Sequence, residues 1–163
     1  MFSLPRSGFK PWLSLFAGLC LCQVSAFASL GGAAVSVRLD QQRLHGRLSM
    51  QSVHGIQIAL LTTPAGIEIK EYIAAGRVFG LAWRGPWLPN LRQLLGPYFS
   101  LWQAQAKKLL PRRGPFLVET HGLTISIAGR PRSFTGLAYL RSDFPQGFQA
   151  RQLGFHSPAG VAR

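Results

Sequence analysis

The chain has 163 residues and carries 18 Lys+Arg against 5 Asp+Glu, a formal charge of +13. With 47% apolar residues and only 14% charged ones, it is too apolar for a disordered tail and reads as one small domain. Its 18 Gly and 11 Pro interrupt it too often for a multi-span membrane protein, and two Cys do not make a disulfide framework.

Residues 1–28 read as a signal peptide. Arg6 and Lys10 give a basic start, residues 12–24 are uncharged and largely apolar, and Ala26-Phe27-Ala28 is a small-residue cleavage pattern. The apolar run is shorter than the roughly 20 residues needed to span a bilayer. Cleavage after Ala28 removes Cys20 and Cys22, along with Arg6 and Lys10, so the charge falls from +13 to +11. These features predict an exported protein, periplasmic or secreted, with no transmembrane segment once the signal is removed.

Residues 36–48 predict a weak basic amphipathic helix or an extended arm. Three β-prone runs follow at 56–61, 67–73 and 77–83, separated by Thr63-Pro64-Ala65-Gly66 and Ala74-Ala75-Gly76. Loops of those lengths pair Leu60 with Ile69 and Ile69 with Leu81. Ile56, Ile58, Leu60, Ile67, Ile69, Ile73, Phe79, Leu81 and Trp83 then share one apolar face, with Glu71 and Arg77 as its charged exceptions.

After the proline-bounded loop at 84–89, Asn90 is a candidate N-cap. Leu91, Leu94, Leu95, Tyr98, Phe99 and Trp102 form a helical stripe. Pro97 predicts a kink over residues 93–97. Further runs at 116–120, 123–128 and 134–140 predict three more strands, and a loosely ordered tail is expected over 146–163. The expected fold is α+β: an antiparallel sheet built from hairpins in the order βββ-α-βββ, with one main amphipathic helix packed on one face. The expected division is a signal peptide at 1–28, one domain at 29–145 and the tail.

Glu71-Tyr72, the block from Val78 to Pro86 and Leu88-Pro89-Asn90-Leu91-Arg92-Gln93-Leu94-Leu95-Gly96-Pro97-Tyr98-Phe99 resemble the domain of unknown function 2844 family of exported proteobacterial proteins. Leu30-Gly31-Gly32, Pro64-Ala65-Gly66 and Phe134-Thr135-Gly136 are similar to its pattern as well. The resemblance implies export and a single domain, and it supplies no activity or catalytic residue. The chain departs from the family pattern at Asn90 and Pro97. It departs again at Ala59 and Leu60, where the family often carries a His-Glu pair.

No catalytic constellation stands out. His45, His54, His121 and His156 lack metal-ligand spacing, so no metal is expected. No phosphate-cradling glycine loop occurs, and neither a cofactor nor nucleic acid is expected as a ligand. Glu71 breaks an apolar face and is the buried-acid candidate, with Arg77 as its expected partner. Arg84, Trp87 and Arg92 cluster around the proline-bounded loop. Lys107, Lys108, Arg112 and Arg113 place four cations within seven residues. Together these residues predict non-enzymatic binding of an anionic envelope component or a secreted protein partner. The alternative is an envelope polymer hydrolase or transferase using Glu71 or Glu119.

Overall fold

Tight hairpins organise the sheet. A computed structural model describes residues 30–108, 115–120 and 122–155. In chain order the elements are α1 (Val37–Leu44), β1 (Arg47–Val53), β2 (Ile56–Thr62), β3 (Glu68–Ala74), β4 (Arg77–Gly85), α2 (Leu91–Leu95), α3 (Phe99–Lys108), β5 (Phe116–Thr120), β6 (Leu123–Arg130) and β7 (Ser133–Leu140). All neighbours are antiparallel, in the order β1-β2-β3-β4-β7-β6-β5. The α2–α3 crossover carries the chain from β4 to the far edge, and β7 returns to pair with β4. The α+β class is as expected, with one strand more than expected in the first half.

That extra strand, β1, occupies the end of the stretch read as a helix or arm. His54 and Gly55 turn it into β2 with φ of 50° and 79°, a two-residue turn whose twist suits a hairpin. Ala75 and Gly76 do the same between β3 and β4.

The expected register is corrected at both hairpins. The loop between β2 and β3 has five residues, because Thr62 pairs with Glu68. Thr63 closes that loop, its Oγ1 accepting from the Ile67 N–H at 3.1 Å. A slip of one residue reverses a strand's faces. Ala59 and Leu61, rather than Ile58 and Leu60, therefore share a side with Ile69 and Glu71. In the next hairpin a bulge at Tyr72/Ile73 keeps Leu81 and Trp83 on that side but turns Phe79 to the other.

The helices cover one face. Val37, Leu91, Leu94 and Leu95 pack there against Ala59, Leu61, Ile69, Leu81, Trp83 and Ile125. The Trp83 ring lies over Gly136 of the neighbouring strand, where an added Cβ would come within 2.3 Å of the ring. Asn90 caps α2, its side chain accepting from the Gln93 N–H at 3.3 Å. The expected kinked helix is two helices: Gly96, at φ 51° and ψ −122°, stops α2. One 3₁₀ turn, Gly96–Tyr98, then leads into α3.

The second face carries Ile56, Tyr72, Phe79, Ala82 and Tyr139. It is covered by the segment 144–155, which corrects the expectation of a loose tail from 146 onward as far as 155. Phe144, Phe148, Leu153 and Phe155 give this segment apolar anchors despite its polar, Gly-bearing composition. Tyr72 Oη donates to the Gly154 carbonyl and accepts from the Gly154 N–H, each at 3.0 Å. Residues 1–29, 109–114, 121 and 156–163, including the segment expected to be a signal peptide and the end of the expected tail, lie outside the described residues.

Candidate functional site

Three turns at one end of the sheet build a cleft of about 430 Å³, lined by Gly66, Glu68, Arg84, Gly85, Pro86, Arg132, Ser133, Phe134 and Thr135. Pairing places these groups together: Glu68 stands opposite Arg84, and Arg84 opposite Thr135. The Pro131-Arg132 turn joins β6 to β7 beside them, with Arg132 at φ 67°. Arg84 Nε donates to Glu68 Oε2 at 2.5 Å, on a largely exposed rim. A second cleft, of about 310 Å³, runs along the second face past Ser126, Ala128, Thr135, Leu137 and Phe155. Arg84 and Thr135 belong to both clefts.

Phe155 organises the cations between the clefts. The Arg84 guanidinium lies 4.5 Å from its ring centroid and Lys70 Nζ lies 4.7 Å from it. Lys70 also donates to the Gly154 carbonyl at 3.2 Å. Burial, helped by the charge of Arg84, holds the Lys70 ammonium below its ordinary pKa, while Glu68 opposes that shift. Guanidinium groups grip phosphate or carboxylate oxygens through planar donors, and the first cleft is lined by two, Arg84 and Arg132. Among the described residues the first cleft is lined by one carboxylate, Glu68, and by no histidine.

Trp87 follows Pro86 of the first cleft and is 57% exposed. Arg92 is not part of the cleft: its guanidinium stacks on Phe99 at 4.7 Å. Lys107 and Lys108 end α3, exposed. Arg112 and Arg113 lie outside the described residues. Glu119 is exposed on β5, where it pairs with Thr124. No group of three or more His, Cys, Asp or Glu able to hold a metal occurs among the described residues. No helix among them is long and apolar enough to cross a membrane.

Glu71 is 1% exposed on the helix face, between Ala59 and Leu81. The expected Arg77 partner is corrected. Arg77 is opposite Ala74, donates to the Gly31 carbonyl at 3.0 Å and stands 4.0 Å from Asp143. Glu71 instead meets Asp40, an equally buried acid on α1. Gln93 Nε2 donates to Asp40 Oδ1 at 2.6 Å. Burial pushes Glu71 up to about 8, helped by the charge of Asp40 and a hydrogen bond to it. Burial pushes Asp40 up to about 6 against the pull of Gln93, Arg43 and that same hydrogen bond. Neither Asp40 nor Gln93 stood out in sequence, although Asp40 falls in phase with Val37 and Leu44 on a helical stripe.

No curated protein and no solved structure matches the chain. The sequence profile described as "Protein of unknown function (DUF2844)" matches residues 26–153, which includes β1 to β7 and α1 to α3 of the described residues and most of the segment over the second face. With most of its length matched, the chain belongs to the DUF2844 family.

Proposed function

We propose that this is an exported, non-enzymatic binding domain that takes an anionic envelope component into the cleft at Arg84 and Arg132. The supporting observation is the cleft itself: two arginines and one carboxylate among its lining residues, opening through Arg84 into a second, less polar groove. A shallow, open site suits phosphate or carboxylate groups presented singly along a strand or on headgroups. The exposed Lys107 and Lys108 add to the basic surface, whose field is local at physiological salt, where the Debye length is about 8 Å. The secreted-protein partner remains the other form of this reading, with Trp87 as its exposed anchor.

Two binding measurements test the proposal: co-sedimentation with phosphatidylglycerol and phosphatidylcholine vesicles, and titration with polygalacturonate, each at low and high salt. We expect salt-sensitive binding to an anionic probe, weakened about tenfold or more by the double change Arg84→Gln and Arg132→Gln, which corresponds to about 1.4 kcal/mol. Equal binding to both vesicle types with none to polygalacturonate, or full binding by the double variant, would remove the cleft from the account. Export is tested separately by mass spectrometry of the mature N-terminus. A start at Ser29 is expected, and an intact Met1 in the membrane fraction would sink it.

A further inference from the structure

Asp40 and Glu71 join two layers of the molecule, and the cation whose charge reaches this site is Arg43 of α1. Asp40 projects from the first turn of α1, Glu71 from the middle of β3, and Gln93 reaches them from α2. Both acids are 1% exposed. Counted as ionised groups, Asp40 Oδ2 and both Glu71 oxygens lack a donor among the described residues. Two carboxylates in contact in a dry site cannot both be charged without a large penalty. One proton between them removes a charge and joins one Glu71 oxygen to Asp40 Oδ2, which leaves a single Glu71 oxygen without a donor among the described residues.

The surroundings leave that proton little competition. Glu71 is flanked by Ala59 on β2 and Leu81 on β4. Glu68 and Lys70 alternate to the opposite face, where Lys70 binds Gly154. On α1, Arg43 is the cation whose charge reaches Asp40, and Arg38 is exposed. On α2, Arg92 turns out over Phe99. Helix α1 has a small apolar footing: Val37 is its one fully buried apolar residue, and Leu44 packs on the core half-buried.

We propose that Asp40 and Glu71 form a proton-binding site that latches α1 to the sheet, and that loss of the shared proton in alkaline conditions releases this helix while the sheet stays folded. Glu71 holds the proton and donates to Asp40, and Asp40 accepts from Glu71 and Gln93. Deprotonation puts two negative charges face to face beneath a helix anchored by Val37 and the half-buried Leu44. This latch is independent of the cleft and of its ligand.

Amide hydrogen exchange at about pH 6 and about pH 9, corrected for the intrinsic pH dependence of exchange, reads the latch directly. In the full chain, protection of residues 37–44 is expected to fall about tenfold or more at the higher pH, while β4 keeps its protection. Glu71→Gln keeps a donor toward Asp40 without a titrating group and is expected to hold α1 equally well at both values. Asp40→Asn removes the charge from the other side and serves as the second variant should Glu71→Gln fail to fold. Three results would each overturn the proposal: unchanged α1 protection in the unmodified chain, the same loss in the folded variant, or protection at high pH that millimolar calcium restores and a chelator removes, which would make the ligand a metal ion.

Discussion

The two faces of the sheet are closed by different means. Three helices cover the first, and the most polar contact beneath them is a buried acid pair. A twelve-residue strap without a regular helix longer than one turn covers the second, and it works through aromatic rings. Phe79 meets Phe144 and Phe148 edge-on, with centroids 5.6 and 5.0 Å apart. The helix face is thus closed by shape and by one proton-dependent contact. The strap face is closed by rings and by the two hydrogen bonds of Tyr72. One consequence is that the acid pair makes the first face respond to pH between about 4 and 8, while the second face answers only to Lys70 and Tyr72, which are basic-range groups.

The largest expected effect separates the rings from everything else. Phe79→Ala should destabilise the domain by about 3–5 kcal/mol in urea melts, since a fully buried ring leaves a cavity. A loss below about 1 kcal/mol would show that the strap does not depend on this ring. The pH response comes next. The folded state raises Glu71 from 4.5 to about 8 and Asp40 from 3.8 to about 6, so it binds more protons than the unfolded chain across that window. Stability is therefore greatest below about pH 4 and falls as pH rises toward 8, with a slope approaching about 1.4 kcal/mol per pH unit for each titrating group. Glu71→Gln should flatten most of that fall in urea melts taken across the range, and an unchanged slope would contradict it.

Tyr72→Phe sharpens the comparison from the other side. It removes both hydrogen bonds to Gly154 and should cost about 1–3 kcal/mol, with faster proteolysis confined to the strap and no change in the pH slope. The smallest effect is expected at Pro97. Gly96 already breaks the helix, and Pro97 sits at the start of the next turn, where a missing N–H is not felt. Pro97→Ala should shift stability by less than about 1 kcal/mol in thermal melts, and a larger gain would mean that the proline itself bends the chain.

Local signals were readable and long-range ones were not. The turns, the Asn90 cap, the α+β class and the oddity of Glu71 follow from residues within a few positions of one another. Strand β1 escaped because the apolar alternation of this exposed edge strand, RLSMQSV, is only two residues deep, Leu48 and Met50, too short to separate from a helical reading. The first register failed by one residue because the Thr63 side chain lengthens the loop in a way that composition does not encode. Arg84 was visible as part of a basic cluster, but Arg132 and Phe155 reach it only through the β4–β7 pairing and the strap. Asp40 lies 31 positions before Glu71, and no rule of spacing joins them.

The strap also has a place in time. Every strand pair except β4–β7 joins neighbours along the chain, so the hairpins form from segments made close together. The rings of Tyr72 and Phe79 have no cover until residues 144–155 arrive behind β7. During synthesis or refolding there is then an interval in which a nearly finished sheet shows water an aromatic surface. Such surfaces attract one another between molecules. Yield on refolding should depend on protein concentration more steeply than the modest size of the domain suggests, and a chaperone that shields this face would act at the last step rather than the first.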